Sequence, residues 1–168
     1  QKEGLPTGPD RVIVEHWPVT STIHIDASWP PGLYVIEIAP VGRGRPSYIP
    51  LVVRTSGARS PYLVVASDLT WLAYNQYGGR SLYFGPGKSH ARSVANRSYV
   101  ASAERPVDGS GMRVLFTMNI PLIRFLSRNN LSYDVTTDSS LDATPSQLLG
   151  QTAVLIGGHN EYWTKRMY

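Results

Sequence analysis

"YLVVAS" at 62–67 and "TAVLIGG" at 152–158 decide how this chain is to be read. Each is a continuous apolar run rather than an alternation of apolar and polar residues, the pattern of strands in a parallel sheet covered on both faces. Parallel neighbours cannot be joined by a tight hairpin, so helices are required between them. "PLIRFLSRN" at 121–129 supplies one: Leu122, Ile123, Phe125 and Leu126 recur at helical spacing, Arg124 and Arg128 point elsewhere, and Asn129-Asn130 form the stop. That helix, "LSYDVTTD" (131–138), "PSQLLG" (145–150) and "TAVLIGG" follow one another as βα steps of an open α/β sheet. Ligands of such sheets gather beyond the carboxyl ends of the strands. "GGHNEYW" (157–163) is expected there, with Gly157 and Gly158 turning the chain and Tyr162 and Trp163 anchoring a helix that begins at that point.

Upstream the pattern changes. "RVIVEHW" (11–17), "STIHID" (21–26), "GLYVIEIA" (32–39) and "SYIPLVVRT" (47–55) are short, rich in β-branched and aromatic residues, and divided by Pro- and Gly-containing turns. They predict a β-sandwich-like module over 1–58, of immunoglobulin type but incomplete at four strands, followed over 59–168 by the α/β part.

Composition narrows the function classes. In 168 residues, 42% are hydrophobic and 17% charged, which is globular rather than disordered. There is no cysteine, so a disulfide framework, a thiolate metal site and a cysteine nucleophile are all excluded. The net charge of +4 is scattered, and its densest cluster, "GRGRP" at 42–46, reads as a solvated hairpin loop; no nucleic-acid partner is predicted. No apolar run approaches the roughly 20 residues of a membrane span, and none is predicted. The opening "QKEGLPTGPD" lacks an initiator Met and an apolar leader, as expected of a processed or excised chain, with its compartment left open. Three parallel strands leave an apolar face, so a further segment or chain completing the sheet is expected, with oligomerisation as an option.

The loop "DLTWLAYNQYGGRSLYFGPG" (68–87) is long and aromatic, as functional loops often are, although Trp71, Tyr74, Tyr77 and Tyr83 would also serve to cover a sheet edge. His159 reads equally as a structural hydrogen-bond donor or a reactive imidazole. Glu161 reads as a ligand or as an acidic residue in a helix's first turn.

Four segments, "TWLAYNQYGGRSLY" (70–83), "VANRSY" (94–99), "IPLIRFLSRNNLSYDVTTDSSLD" (120–142) and "LIGGHNEYW" (155–163), resemble in that order the large (beta) subunit of N,N-dimethylformamidase and its relatives. The similarity runs from about residue 28 to the end. It implies a β-sandwich region joined to an α/β domain with the class I glutamine amidotransferase-like fold, and hydrolysis of the C–N bond of a small amide of formamide type. It also implies a mononuclear Fe(III) held by two tyrosinates and one glutamate beside a histidine. Carried over motif by motif, Tyr74, Tyr99 and Glu161 are the implied metal ligands and His159 the implied catalytic residue. Hard phenolate and carboxylate oxygens suit Fe(III); the metal would activate water, and the histidine would position that water or exchange its proton. The contrasting expectation is a metal-free module of the same family whose aromatic loop binds a ligand or partner.

Overall fold

The computed structural model describes residues 10–168 except 15–17, 45, 56 and 58, and describes His90 by its backbone alone. The chain is mixed α/β, with a three-stranded parallel sheet and additional short paired strands. In order, these are β1 (Gly32–Ile38), β2 (Ser47–Val53), β3 (Tyr62–Ala66), α1 (Asp68–Tyr74), β4 (Gly85–Pro86), β5 (Arg92–Ser93), α2 (Gly109–Val114), α3 (Ile120–Arg128), β6 (Tyr133–Thr137), α4 (Asp138–Ala143) and β7 (Ala153–Ile156). Among the described residues, no helix is long and apolar enough to cross a membrane.

Two compact units divide the chain. One comprises Gln1–His24, Glu37–Ile49 and Trp71–Met112; the other comprises Ile25–Ile36, Pro50–Thr70 and Arg113–Tyr168.

The second unit holds the parallel sheet, in the order β6-β3-β7. Val64 lies opposite Val135 on one side and Leu155 on the other, so "YLVVAS" and "TAVLIGG" are parallel neighbours in one sheet, as expected. Leu63, Val64, Val65 and Ala66 are all buried, which is why the central strand reads as an unbroken apolar run. Strand β7 departs from that expectation: Val154 and Ile156 are 41% and 47% exposed, so its apolar run is covered on one face only.

The predicted crossover helix is present as α3, which buries Leu126 but leaves Phe125 exposed. It continues a helical run that begins at α2 and passes through one π turn at Leu115–Asn119. Pro121 accounts for this: inside a helix its ring would collide with the carbonyl four residues back and it offers no N–H, and a widened turn just before it relieves both problems. Thr117 adds to the distortion by donating its hydroxyl to the Arg113 carbonyl at 2.7 Å. "PSQLLG" folds as a single 3₁₀ turn, Pro145–Leu148. Its exposed carbonyls are gathered by Arg59, whose Nη1 donates to Ser146 at 3.1 Å, to Gln147 at 2.9 Å and also to Leu149.

In the first unit, order comes from buried polar groups. Arg105 is 6% exposed and donates to carbonyls of Ser102 (3.3 Å), Tyr77 (3.3 Å), Arg80 (3.1 Å) and Leu72 (3.0 Å). Burial lowers its pKa, with Asp108 opposing that shift. Asn75 is fully buried and satisfied: Nδ2 donates to Pro106 O at 2.7 Å, and Oδ1 accepts from the N–H groups of Tyr77 (3.1 Å) and Asp108 (3.0 Å). The short β4 and β5 pair antiparallel, Gly85 opposite Ser93. Gly85 has no alternative there, because a Cβ would sit 1.8 Å from the Asn96 carbonyl oxygen.

The N-terminal expectations need correction. Strands β1 and β2 form a two-stranded sheet, but "STIHID" is not a strand, and residues 11–14 of "RVIVEHW" are not either; 15–17 lie outside the described residues. Residues 21–26 are exposed throughout, so no buried face fixes a pairing register. At 10–11 the carbonyls are engaged elsewhere: Asp10 O accepts from Tyr99 N at 3.0 Å and Arg11 O from Ser98 Oγ at 2.6 Å. The helix expected to start near Tyr162 is also absent: residues 159–164 are irregular and only a turn follows at 165–167. Side chains occupy that backbone, since Trp163 Nε1 donates to Asn160 O at 2.9 Å and Glu161 N donates to Thr70 Oγ1 at 3.0 Å.

Replacing Arg105 by Met should remove the donor to four carbonyls at once, each costly to leave buried without a partner. A loss of about 3 kcal/mol or more is expected in urea unfolding, against less than about 1 kcal/mol for the exposed Arg43→Met. Equal effects for the two would refute the organising role of Arg105.

Candidate functional site

The carboxyl ends of β3, β6 and β7 bring three polar segments together within the second unit: Asp68 after β3, Asp138 after β6, and Gly157–Glu161 after β7. This is where an open parallel sheet presents its ligand site. The glycines have separable roles. A Cβ at Gly157 would meet Asn119 Nδ2 at 2.5 Å, so this residue is small because another side chain passes over it. Gly158 has φ +84°, a left-handed conformation that makes the turn itself.

The turn delivers His159 and Glu161 to the same point, with His159 Nε2 and Glu161 Oε2 3.2 Å apart and both side chains partly exposed. The loop is pinned at both neighbours. Glu161 N donates to buried Thr70, and Asn160 Nδ2 donates to Asp138 Oδ1 at 2.8 Å. Ser67 Oγ donates to Asn119 Oδ1 at 3.2 Å beneath the turn, where both residues are fully buried.

Asp138 is the most perturbed acid here. It is fully buried, and its pKa is raised to about 7, first by that burial and further by the charge of Asp68, against the opposing hydrogen bonds from Asn160 and the Leu69 N–H. Asp68 in turn accepts from the Ser139 N–H at 3.1 Å and from the Ser139 hydroxyl, tying the end of β3 to the start of α4. Thr137 caps α4 by accepting from Ser140 N at 3.1 Å. At the opposite end of β6, Asp134 shows the reverse outcome: burial pushes it up, but donors from Thr55 (2.6 Å) and Ser60 (3.0 Å for both N and Oγ) bring it below the usual range.

The other implied residues lie in the first unit. Tyr74 ends α1, and its ring stacks on Tyr83 with centroids 4.4 Å apart. Tyr99 is 56% exposed and lies between two guanidinium groups, Arg11 at 5.5 Å and Arg97 at 5.4 Å from its ring centre. Ser98 fixes its backbone, being 2% exposed with N bonded to Ser81 O at 2.8 Å. Thus His159 and Glu161 are brought together, while Tyr74 and Tyr99 each have their own aromatic or cationic surroundings. Among the described residues, no three His, Cys, Asp or Glu side chains gather as a metal site.

Asp138, Asp68 and Asn160 escaped the sequence reading, although "TTD" and "HNE" lay within quoted motifs; their common sheet edge becomes apparent only once the strand order is known.

Fold and motif order define a mixed α/β protein with its polar loops at the carboxyl edge of a parallel sheet. The chain belongs to the family described as N,N-dimethylformamidase beta subunit-like, C-terminal, whose family model matches residues 2–168. A search of curated proteins finds no match.

Because Asp138 binds its proton more tightly when folded than its ordinary value of 3.8 allows, the native state holds one more proton than the unfolded state between that value and about 7. Stability from this group is therefore full below the lower value and is lost as pH rises to the upper one, by up to about 4 kcal/mol. Asp138→Asn should flatten this part of the urea-unfolding pH profile and be more stable than the parent at pH about 8. An unchanged slope would show that Asp138 is ionised throughout.

Proposed function

We propose that this chain carries part of an iron-dependent amidohydrolase that cleaves the C–N bond of a small amide of formamide type. The observation that carries the reading is the His159–Glu161 pair, held 3.2 Å apart on a turn at the carboxyl edge of a parallel sheet, in a chain that belongs to the dimethylformamidase-like family. The ligand residues are those the resemblance implies: Tyr74, Tyr99 and Glu161. Two phenols and a carboxylate form a hard, anionic oxygen donor set of the kind that suits Fe(III). When bound, such an ion supplies Lewis acidity, which lowers the pKa of a bound water and polarises a carbonyl.

The chain's own residues have distinct parts to play. Glu161 offers a carboxylate on a backbone fixed by Thr70. His159 can hold a water by hydrogen bond, take its proton and deliver it afterwards to the departing amine nitrogen. Asn160, anchored to Asp138, prevents the turn from rotating, which keeps imidazole and carboxylate on one side.

The β6-β3-β7 sheet is read as part of a class I glutamine amidotransferase-like domain, and the β1-β2 pair as part of an immunoglobulin-like sandwich. The exposed Val154 and Ile156 on β7 favour a further segment or chain that covers that strand.

Iron analysis of the purified protein, with visible spectroscopy for a phenolate-to-iron charge-transfer band, tests the proposal. About one iron per chain is expected, with the band lost in Tyr74→Phe and metal affinity reduced in Glu161→Gln. His159→Ala should keep iron and the band but slow hydrolysis of a small formamide by roughly 10²-fold or more. A protein that purifies without iron and takes none up would instead be a metal-free binding module of this family.

A further inference from the structure

On the amino side of the parallel sheet, where Leu63 of β3 stands in register with Asp134 of β6, the second unit holds a cavity of about 540 Å³. Ile25, Leu51 and Val53 form its apolar wall over Leu63 and Val135, and the first three keep part of their surface open. Arg54 and Arg59, both exposed, make its polar end. Gln147 brings the two guanidinium groups to one place. Its Nε2 shares the Ser140 hydroxyl with Arg54 Nη1, at 3.2 and 3.3 Å, and its carbonyl accepts from Arg59 Nη1 at 2.9 Å. The bonds of Arg59 to Ser146 and Leu149 also use Nη1. A guanidinium carries five N–H donors, so the rest of each fork, Nε and Nη2, makes no hydrogen bond among the described residues. Neither arginine has a carboxylate partner there: Asp134 also lines the cavity, but Thr55 and Ser60 engage its oxygens.

We infer that this cavity binds a small aliphatic monocarboxylate, whose carboxylate accepts from Arg54 and Arg59 while its alkyl chain lies against Ile25, Leu51 and Val53. The chemistry selects among alternatives. A guanidinium fork matches the two oxygens of a carboxylate in geometry as well as in charge. Two guanidinium groups against the ionised Asp134 leave one surplus positive charge, which suits a monoanion. An alkylammonium ion would bring donors to donors and be repelled by both arginines. A neutral hydrocarbon would gain nothing from the forks, and a carboxylate without a chain would leave the apolar wall in water. The volume falls within the roughly 300–1,000 Å³ of small-molecule sites. Every residue involved belongs to one compact unit, and the edge that carries His159 and Glu161 is at the other end of the strands, so the site depends on neither iron nor hydrolysis.

Isothermal calorimetry with hexanoate at pH about 7.5 and low salt tests the site directly. Saturable one-to-one binding with a Kd below about 1 mM is expected. Arg54→Gln removes one fork and costs the fold only a 3.3 Å bond to the Ser140 hydroxyl; hexanoate affinity should fall at least about fivefold. Arg43→Gln, at an exposed arginine of the other unit, removes the same net charge and should bind as the parent does. Acetate, which lacks the chain, and hexylammonium, which carries the opposite charge, should each bind at least about tenfold more weakly than hexanoate. The inference is overturned by absence of saturable hexanoate binding in the parent, by undiminished binding in Arg54→Gln, by an equal loss in Arg43→Gln, or by acetate or hexylammonium binding as tightly as hexanoate. Because no reading involves iron content or amide hydrolysis, failure here leaves the hydrolytic proposal intact, and the converse also holds.

Discussion

Strand β3 pairs on both sides, with β6 and with β7, and that double pairing constrains everything else in its unit. A strand without a free edge and without an exposed face can carry no polar side chain along its length; Leu63, Val64, Val65 and Ala66 meet that requirement. The polar residues are displaced to its end, where Ser67, Asp68 and Thr70 follow in quick succession. All three then serve the neighbouring strands: Ser67 bonds Asn119 below the glycine turn, Asp68 ties down Ser139 after β6, and Thr70 holds the Glu161 backbone after β7. A central apolar strand thus produces a polar carboxyl edge by exclusion, and the edge in turn holds the loops from which a site is made.

Holding polar groups in so little water has an electrostatic consequence. Asp138 and Asp68 are near enough for the charge of one to raise the pKa of the other, and Asp138 is already raised by burial. Asp134, less deeply buried at the opposite end of β6, is surrounded by donors that hold its pKa below the usual value. Depth and donor supply act together: the deeper carboxyl with fewer donors is raised, and the shallower one with more donors is lowered.

How much of this was legible in the sequence follows from which interactions are local. The parallel strands were legible because burial on both faces leaves an unbroken apolar run, and α3 because its spacing is helical. "STIHID" misled because β-branched residues fit a strand only when a partner and a covered face exist, and neither is encoded within six residues. The helix expected after Glu161 failed for a similar reason, as its backbone and side-chain groups are claimed by Thr70 and Asp142, residues 91 and 22 positions away. Gly157 and Gly158 were read together as a turn, yet only Gly158 adopts a left-handed conformation; the need for glycine at 157 lies in Asn119. Among the candidate site residues, the closeness of His159 and Glu161 was legible because a two-residue separation on a tight turn permits little else. Asp138 was invisible, since nothing in "TTDSS" reports that its carboxyl is buried.

Asn160 joins these two readings of the carboxyl edge. Its side chain is committed to Asp138, and its flanking residues carry the imidazole and the carboxylate, so the orientation of the pair depends on a buried acid one residue removed. Protonation weakens Asp138 as an acceptor toward Asn160 Nδ2 and so loosens the tether on the turn. The physical state of Asp138 therefore sets how firmly His159 and Glu161 are held, and an ionised carboxyl is the form that holds them best. Burial and the charge of Asp68 oppose that form, while the donors from Asn160 and the Leu69 N–H support it.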